Sequence, residues 1–233
     1  MRNRRKVAVI IPALNEAATI GEVVTRTPSW VDHIVVVDNG SHDETVARAK
    51  DAGATVVAES QRGYGAACLR GLASTPDADI YVFVDADLSD DPSGMADLVD
   101  PITDEGIDLV IGARSSAEPG ALTFVQRFGN WLACCLMSAF WRCSFTDLGP
   151  FRAISAPALR RLGMRDRTWG WTVEMQVKAV RHRLVTREVP VAYRRRAAGR
   201  SKISGTIVGS VRAGSKILFV ILSQVFAPRS TVR

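Results

Sequence analysis

The sequence has few cysteines and no long apolar run near its start, and both absences exclude classes of protein. Its four cysteines, Cys68, Cys134, Cys135 and Cys143, show no Cys-x-x-Cys spacing and no nearby histidine partner. This argues against a zinc site and a disulfide framework, so we expect reduced thiols in the core. The apolar run at residues 7–11 is too short for a secretion signal, and we therefore expect a cytoplasmic protein.

Acidic residues are scarce in the second half of the chain. Residues 111–233 hold 21 basic and 5 acidic side chains, whereas residues 1–110 hold 9 basic and 19 acidic ones. Arginine accounts for 25 of the 30 basic residues, which suits bidentate recognition of phosphate. A solvated surface is the alternative interpretation. The division predicts an acidic half that holds a metal and a basic half that meets an anionic partner.

The 233 residues, 47% of them hydrophobic, are enough for a substantial core. Five short β-branched runs are each followed by turn residues and a helical stretch, an alternation that predicts an α/β fold with a Rossmann-like, mostly parallel sheet flanked by helices. Ser41 with Glu44 is interpreted as a capping box, and Asp91 with Pro92 as an N-cap followed by proline. The expected strands lie at residues 7–11, 33–37, 55–58, 80–84 and 107–111.

Ligands of such sheets bind beyond the carboxyl ends of the strands, where this sequence is unusually polar. Asp85 and Asp87 follow the apolar run IYVFV at a spacing that puts both carboxylates on one face of an extended strand. They are suited to one divalent ion, and helix capping is the alternative. The loop at Gly63 and Gly65 suggests either phosphate contact at a helix N-terminus or close helix packing, and the sequence leaves both open.

The order of these motifs resembles that of the family 2 glycosyltransferases, inverting nucleotide-sugar enzymes of the GT-A fold. The resemblance covers about residues 6–215, and its later part is similar to the polyprenyl (dolichyl) phosphate hexose synthase branch. The matching pieces are IIPALNE, VVVDNGSHDET, RGYGAACLRGL and FVDADLSDDP, followed by segments at residues 112–114, 126–130, 146–152, 170–176 and 196–202.

The resemblance implies a donor site and a metal cofactor. Asp85 and Asp87 would lie against the nucleotide sugar and its Mg²⁺ or Mn²⁺, with Asp87 as the more direct ligand. Two positions depart from the pattern: Asn39 stands where Asp is common, and Ser89 where the lipid-phosphate enzymes often carry Gln, so we expect an extra water in the metal shell. The base and ribose pocket would be lined by Pro12, Leu14, Asn15, Glu16 and Asp38.

A basic segment follows in the second half of the resemblance. Arg196, Arg200 and Lys202 surround Gly199 and would close over the diphosphate as a lid. A solvated basic loop is the alternative.

The acceptor side follows from the chemistry of the attacking group. An alcohol needs a general base, for which Glu174 and Asp147 are the candidates, whereas a phosphate monoester is already a dianionic nucleophile. Arg114, Arg127 and Arg152 would hold such a phosphate. Glu174 would alternatively position the donor sugar, and Arg152 would alternatively be a structural partner of Asp147.

We expect a catalytic domain over residues 1–205, divided into a nucleotide-sugar half (1–111) and a smaller acceptor half (112–205), and an amphipathic helix or tail over 206–233. The tail is too charged and too short in its apolar part to span a bilayer. With a helix over residues 122–140 it is expected to rest on an anionic leaflet; a core helix or dimer interface is the alternative.

The predicted activity is a metal-dependent, inverting hexosyltransferase that uses UDP-glucose, or else GDP-mannose, with a polyprenyl phosphate as acceptor at the inner face of the membrane. One alternative is the same donor chemistry on a small soluble anionic acceptor. Another is a non-catalytic sugar-nucleotide-binding subunit. We expect no nucleic-acid partner, because the basic half lacks a recognisable reader motif. A homodimer stays open.

Overall fold

A computed structural model describes residues 1–197 and 207–226 of the chain. Within this part, a seven-stranded sheet in the order β3-β2-β1-β4-β6-β5-β7 forms the centre of the fold. The strands are β1 (Val7–Ala13), β2 (His33–Asp38), β3 (Thr55–Ala58), β4 (Ile80–Phe83), β5 (Leu109–Ala117), β6 (Arg152–Ser155) and β7 (Thr186–Tyr193). The helices are α1 (Ile20–Arg26), α2 (Thr45–Asp51), α3 (Tyr64–Ser74), α4 (Met95–Glu105), α5 (Phe124–Trp141), α6 (Ala156–Leu162), α7 (Trp171–Arg181) and α8 (Ile207–Phe226).

The sheet confirms the predicted α/β class and all five expected strands. Strands β1 to β4 pair in parallel, with Ile10 opposite Val35 and Phe83, as a βαβ series requires. β6 then runs antiparallel between β4 and β5, and β7 pairs in parallel with β5. Because β6 comes from the second half of the chain and its neighbour β4 from the first, both halves build one sheet.

Helices cover both faces of the sheet and bury its central strands β1 and β4, whereas the edge strands β3 and β7 stay partly exposed. Alternate residues of β1 point to opposite faces, so Val9 and Ile11 pack in the cluster with α1 and α4, while Ala8 and Ile10 join the cluster with α3 and α7. All four side chains are fully buried. The second cluster is the larger one because α5, α6 and α8 also contribute to it.

One predicted helix start is wrong and one is confirmed. The Ser41 hydroxyl does not cap α2, which begins at Thr45; it accepts a hydrogen bond from Asn15 N instead. Asp91 accepts from Ser93 N and caps a 3-10 turn at Pro92–Gly94, as expected. The four cysteines are free, but Cys135 is exposed rather than in the core.

Helix α8 packs against α5 and α7, with Val220 and Ile221 buried. No helix in the described part of the chain is both long enough and apolar enough to cross a membrane. Phe219 and Phe226 of the same helix face outward.

Candidate active site

The loops that follow β1 and β2 are tied to one another at the carboxyl end of the sheet. Asn15 N donates to Ser41 Oγ (2.9 Å), and Asn15 Oδ1 accepts from His42 N (2.8 Å). Asn15 adopts a left-handed φ of +51°, a conformation that asparagine tolerates better than most residues. Glu16 N donates to Thr45 Oγ1 (2.8 Å). These contacts fix the predicted base and ribose segment against the second loop.

Asp38 ends β2 beside this segment. Its Oδ1 accepts from Ser41 N at 3.0 Å, and its side chain stays partly exposed. Pro12 and Leu14 are also partly exposed at the same edge of the sheet. The structure therefore brings all five residues predicted for the base and ribose pocket together, although only Glu16 among them is buried.

Asn39 has a structural role that its position in the motif did not reveal. Its amide group donates to the carbonyl oxygens of Glu59 (2.9 Å) and Gln61 (2.8 Å), while its Oδ1 accepts from Gly63 N (2.8 Å). An aspartate here could accept but could not donate, so the amide explains why this chain departs from the Asp-Asp pattern. Asn39 holds the loop after β3 in place.

Asp85 and Asp87 lie beyond the end of β4, where the chain turns sharply. Asp87 is 4% exposed, and its Oδ1 accepts from Ser89 N at 2.9 Å. Leu88, which follows Asp87, has a φ of +60°. This left-handed backbone conformation is energetically costly for a side chain of this size.

Several buried polar atoms beside this pair have no hydrogen-bond partner among the described residues. They include Asp85 Oδ1, the Tyr64 hydroxyl, the Trp171 indole nitrogen and both carboxylate oxygens of Asp90. Burial, and then the charge of Asp87, raise the pKa of Asp85 to about 7, against the opposing effect of Arg196. Burial and the neighbouring Asp85 raise the pKa of Asp90 as well. Several buried polar groups without partners in one place indicate a site at which a polar ligand or a cation supplies the missing contacts.

Arg196 connects the loop that follows β1 with the loop that follows β4. One guanidinium nitrogen lies 2.7 Å from Asp87 Oδ2 and the other 2.8 Å from Glu16 Oε1. These carboxylates raise the pKa of Arg196 against the effect of its burial. The Arg196 guanidinium thus compensates the negative charge of the buried carboxylates Asp87 and Glu16.

The residues fit a metal that is shared with a ligand better than one held by protein alone. The described residues contain no cluster of three or more His, Cys, Asp or Glu side chains arranged to hold an ion. Mg²⁺ is commonly bound by one or two carboxylates together with substrate phosphates and water. Asp85 and Asp87 supply that number of carboxylates, and Asp85 still has an unpartnered oxygen.

The two glycines predicted to contact the nucleotide are packed against protein instead. A Cβ at Gly63 would lie 2.1 Å from the Arg167 carbonyl oxygen, and one at Gly65 would lie 2.0 Å from that of Asp166. Gly65 N also donates to Thr168 O at 3.1 Å. Of the two interpretations left open by the sequence, close packing is the one that the structure supports.

Arg114 and Asp147 form the best-connected ion pair on the acceptor side. The Arg114 guanidinium donates two hydrogen bonds to Asp147, at 2.6 and 2.8 Å, and Arg114 N donates a third at 2.7 Å. The guanidinium also lies over the Tyr193 ring, 5.1 Å from its centroid. Burial raises the pKa of Tyr193 to about 12, so the ring stays neutral there. Asp147 is therefore bound to Arg114, not to Arg152 as one interpretation had it.

Glu174 is also engaged by its own chain. Its carboxylate accepts from Arg165 N and Asp166 N and lies 2.7 Å from Lys178 Nζ. These contacts hold the segment 163–170, which in turn packs on Gly63 and Gly65. In the structure Glu174 holds this segment in place, and its role as a general base stays a prediction.

Arg152 does not lie where an acceptor phosphate could reach it. Its side chain is completely buried, and it donates to the carbonyl oxygens of Leu148, Gly149 and Thr172. Burial lowers its pKa to about 10. The prediction that it holds the acceptor is wrong because its donors are already used inside the core. Arg127, by contrast, is exposed on α5.

Arg200 and Lys202, predicted with Arg196 to form a lid, lie outside the described residues, as does Gly199. Sequence reasoning missed Tyr64, Asp90 and Tyr193. Asp90 carried a signal because it belongs to the acidic string that follows β4, and Tyr64 because it stands between Gly63 and Gly65 in the motif RGYGAACLRGL.

Comparison with known proteins gives a consistent picture. The sequence model of the family described as Glycosyl transferase family 2 matches residues 8–187. An uncharacterized glycosyltransferase of Mycobacterium tuberculosis is 35% identical over 209 residues, which cover 89% of this chain and 94% of that protein. Glycosyltransferase AglJ of Haloferax volcanii is 31% identical over 220 residues, covering 93% of this chain and 70% of its own length.

A solved structure similar to this one over nearly its whole length is that of glucosyl-3-phosphoglycerate synthase from Mycobacterium tuberculosis. In its complex with Mn²⁺, UDP-glucose and phosphoglyceric acid, the TM-score is 0.79 at 28% identity, covering 98% of this chain and 83% of that one. The same synthase has been solved with Mg²⁺ and UDP, with a TM-score of 0.79 at 27% identity and coverage of 98% and 82%.

Proposed function

The chain belongs to glycosyl transferase family 2, and from that premise we propose that it moves a hexose from a UDP-sugar to a small acceptor that carries a negative charge. The enzyme is a metal-dependent hexosyltransferase with the GT-A fold. One observation carries the choice of site: Asp85 and Asp87 lie together beyond the end of β4, with an unpartnered buried oxygen on Asp85 and the Arg196 guanidinium in contact with Asp87.

The donor side follows from these two carboxylates. Bound Mg²⁺ or Mn²⁺ neutralises the negative charge that grows on the departing diphosphate. Asp85 and Asp87 would hold that ion, and Glu16 and Arg196 lie within the same hydrogen-bonded group. Asp38 offers its partly exposed carboxylate to a ribose or base at the neighbouring strand end. The similar synthase, solved with Mn²⁺ and UDP-glucose, supports UDP-glucose as the first donor to test.

A soluble acceptor is favoured over the polyprenyl phosphate that the motifs suggested. The similar synthase is solved with phosphoglyceric acid, a small anion, and the structural match covers 98% of this chain. Arg114, although paired with Asp147, stays slightly accessible, with 13% of its side chain exposed. Arg127 is exposed on the first turns of α5. Its guanidinium forms no hydrogen bond or ion pair with the residues that the structure describes.

One observation keeps the lipid acceptor as a second candidate. Phe124, Phe128 and Trp131 form a row on α5 with ring centroids 6.5 and 5.8 Å apart, and each is at least half exposed. An exposed aromatic row on an amphipathic helix is typical of proteins that lie on a membrane surface. A peripheral contact at the inner leaflet and a lipid acceptor would both use this row.

A transfer assay tests the proposal. The purified chain is incubated with radiolabelled UDP-glucose and Mn²⁺, with 3-phosphoglycerate in one reaction and a short-chain polyprenyl phosphate in another. We expect transfer to 3-phosphoglycerate, its loss on addition of EDTA, and a fall of at least about 10²-fold in Asp87→Asn, because charge stabilisation at the leaving group commonly contributes this much.

Asp97→Asn is the matched control, since Asp97 is exposed on α4 and makes no described contact with Asp85 or Asp87. It should retain full activity. Transfer to the polyprenyl phosphate alone would establish the second candidate, whereas UDP-glucose binding without transfer to any acceptor would support a non-catalytic binding subunit.

A further inference from the structure

A groove of about 1560 Å³ lies among α6, α7, α8 and the carboxyl end of α5. It follows α7 to its last residues: Arg181 is ten residues beyond Trp171, which is roughly 15 Å along a helix. Trp171 is the residue that packs on Phe83 beneath the candidate active site. The groove therefore extends well beyond the donor site, with which it shares only the segment 163–168 and Glu174.

The side chains of the groove carry a large surplus of positive charge. Seven arginines and lysines and one histidine line it, against two acids. Each acid is already paired with a lysine, since Glu174 lies 2.7 Å from Lys178 and Asp166 lies 2.7 Å from Lys216. The remaining arginines are thus left with a net charge that the protein does not compensate within the groove.

Four of these arginines form no ion pair with any residue in the described part of the chain. Arg161 donates to a backbone carbonyl (His182 O, 3.0 Å), and Arg167 to an amide oxygen (Gln61, 2.8 Å). The other two, Arg165 and Arg183, are exposed. Guanidinium groups gathered around a concavity whose two carboxylates are already paired with lysines are suited to phosphate, whose oxygens accept paired hydrogen bonds.

His182 experiences this positive field directly. Its pKa is lowered by burial and then by three cations, Arg161 from α6 and Arg181 and Lys178 from α7. On α8 the groove presents one further cation, Lys216, which is paired with Asp166, and otherwise uncharged residues. An anion bound in the groove would offset the effect of these cations. The pKa of His182 therefore reports whether an anion is bound.

The volume of the groove and the charge of its side chains indicate which class of ligand it binds. About 1560 Å³ exceeds the 300–1,000 Å³ usual for small-molecule pockets, so there is room for more than one phosphate group. We infer that this groove is a second anion site, separate from the donor site, which binds a phosphate-bearing molecule through Arg161, Arg165 and Arg183. The ligand is either a soluble phosphate compound or the phosphorylated headgroup of a lipid.

Proton NMR of the three histidines tests the inference on the full chain. The pKa values of His33, His42 and His182 are measured in EDTA with and without inorganic pyrophosphate, and His182→Asn assigns the third signal. We expect pyrophosphate to raise the pKa of His182 by about half a unit or more, since a close opposite charge shifts a pKa by this order. His33 and His42 should not respond.

A double variant, Arg161→Gln with Arg165→Gln, should weaken the pyrophosphate response at least tenfold. Arg70→Gln is the matched control, because Arg70 is exposed on α3 and donates only to a backbone carbonyl. A second experiment, sedimentation with vesicles of phosphatidylglycerol or phosphatidylcholine, separates the two sources. Vesicle binding that pyrophosphate competes for, and that the double variant loses, assigns a lipid headgroup; a pyrophosphate response without vesicle binding assigns a soluble phosphate.

Two results would overturn the inference. One is a His182 pKa that pyrophosphate leaves unchanged, together with vesicle binding that is absent or unaffected by the double variant. The other is an equal response in the double variant and the wild type, which would place the bound anion elsewhere on the protein.

Discussion

Arg196 and Asp87 are joined by a 2.7 Å contact across the candidate active site, and the same guanidinium lies 2.8 Å from Glu16. In this arrangement a protein cation compensates the carboxylate that we assign to the metal. Because one carboxylate oxygen cannot serve both cations equally well, metal binding and the Arg196 contact are in competition.

We predict that Arg196→Gln binds Mn²⁺ more tightly than the wild type when no donor is present, by about tenfold, or roughly 1.4 kcal/mol. Its transfer rate should nevertheless fall, since the guanidinium no longer assists the diphosphate. Electron paramagnetic resonance of free Mn²⁺ measures the affinity. Arg195→Gln is the control, because the neighbouring Arg195 donates to Pro119 O and lies outside the cluster. Equal or weaker Mn²⁺ binding in Arg196→Gln would exclude the competition.

Asp85 predicts a pH dependence of stability in the metal-free protein. Its pKa is about 7 in the folded chain and near the ordinary aspartate value of 3.8 when unfolded. The folded state therefore holds the proton more tightly, and stability falls as the pH rises between these values, by at most about 1.4 kcal/mol per pH unit. Above pH 7 this contribution is constant.

The measurement is urea unfolding in EDTA at pH 5 and pH 7.5 for the wild type and Asp85→Asn. The asparagine variant should lose less stability between the two pH values, because its side chain cannot ionise. Asp97→Asn, on the exposed side of α4, should behave as the wild type does. Parallel curves for the wild type and Asp85→Asn would show that Asp85 is not the group responsible.

Gly65 gives a third prediction, on the segment that packs over α3. A methyl group there would lie 2.0 Å from the Asp166 carbonyl oxygen, and backbone cannot move away cheaply. Gly65→Ala should cost roughly 2 kcal/mol or more of unfolding free energy through overpacking. Gly129→Ala, within α5 and with open space around it, should be neutral or stabilising by up to about 1 kcal/mol. A Gly65→Ala variant as stable as the wild type would refute the packing role.

Much of the fold follows from the sequence alone, and the reason is visible in β1, β2 and β4. Their apolar runs are buried on both faces of a parallel sheet, so periodicity and turn residues suffice to find them. The resemblance to family 2 is likewise confirmed. β6 was not predicted because its four residues, Arg152–Ser155, contain no β-branched run, and β7 was not predicted because Arg187, Glu188 and Pro190 interrupt its apolar residues. The antiparallel insertion of β6 depends on pairing partners that are distant in sequence.

The site was predicted less completely because residue type does not reveal burial. Arg114 and Arg152 look alike in the sequence, yet Arg114 pairs with Asp147 and Arg152 is saturated by backbone carbonyls. The sequence likewise did not show whether Gly63 and Gly65 contact a ligand or pack against protein. In the structure the backbone of residues 166–168 packs directly on them. Local pattern identifies which groups are available, and tertiary contacts decide which of them stay free.

The contrast between Arg152 and Arg127 gives a fourth prediction. Arg152→Met should destabilise the protein by about 3 kcal/mol or more, because the carbonyl oxygens it serves lose their partners in the core. Arg127→Gln should leave the unfolding free energy unchanged and raise the KM for the acceptor by about tenfold. Urea unfolding and initial-rate kinetics make both measurements. An unchanged acceptor KM in Arg127→Gln would remove Arg127 from the acceptor site.

The last prediction concerns stereochemistry. Retention by double displacement needs a carboxylate that is free to attack the sugar, and the acceptor half has only five acids. All of them accept hydrogen bonds from their own chain: Glu118 from Arg195 N, Asp147 from Arg114, Asp166 from Thr168, Glu174 from Asp166 N, and Glu188 from Thr146. Direct attack by the acceptor is the route that disturbs none of these contacts.

We therefore predict inversion: an α-linked UDP-glucose donor gives a β-linked product. The anomeric coupling constant in the proton NMR spectrum of the product, recorded early in the reaction, decides the outcome. Glu188→Gln serves as the control, because its amide oxygen can still accept from Thr146 and the product should keep the same anomeric form. An α-linked product would contradict direct in-line attack by the acceptor.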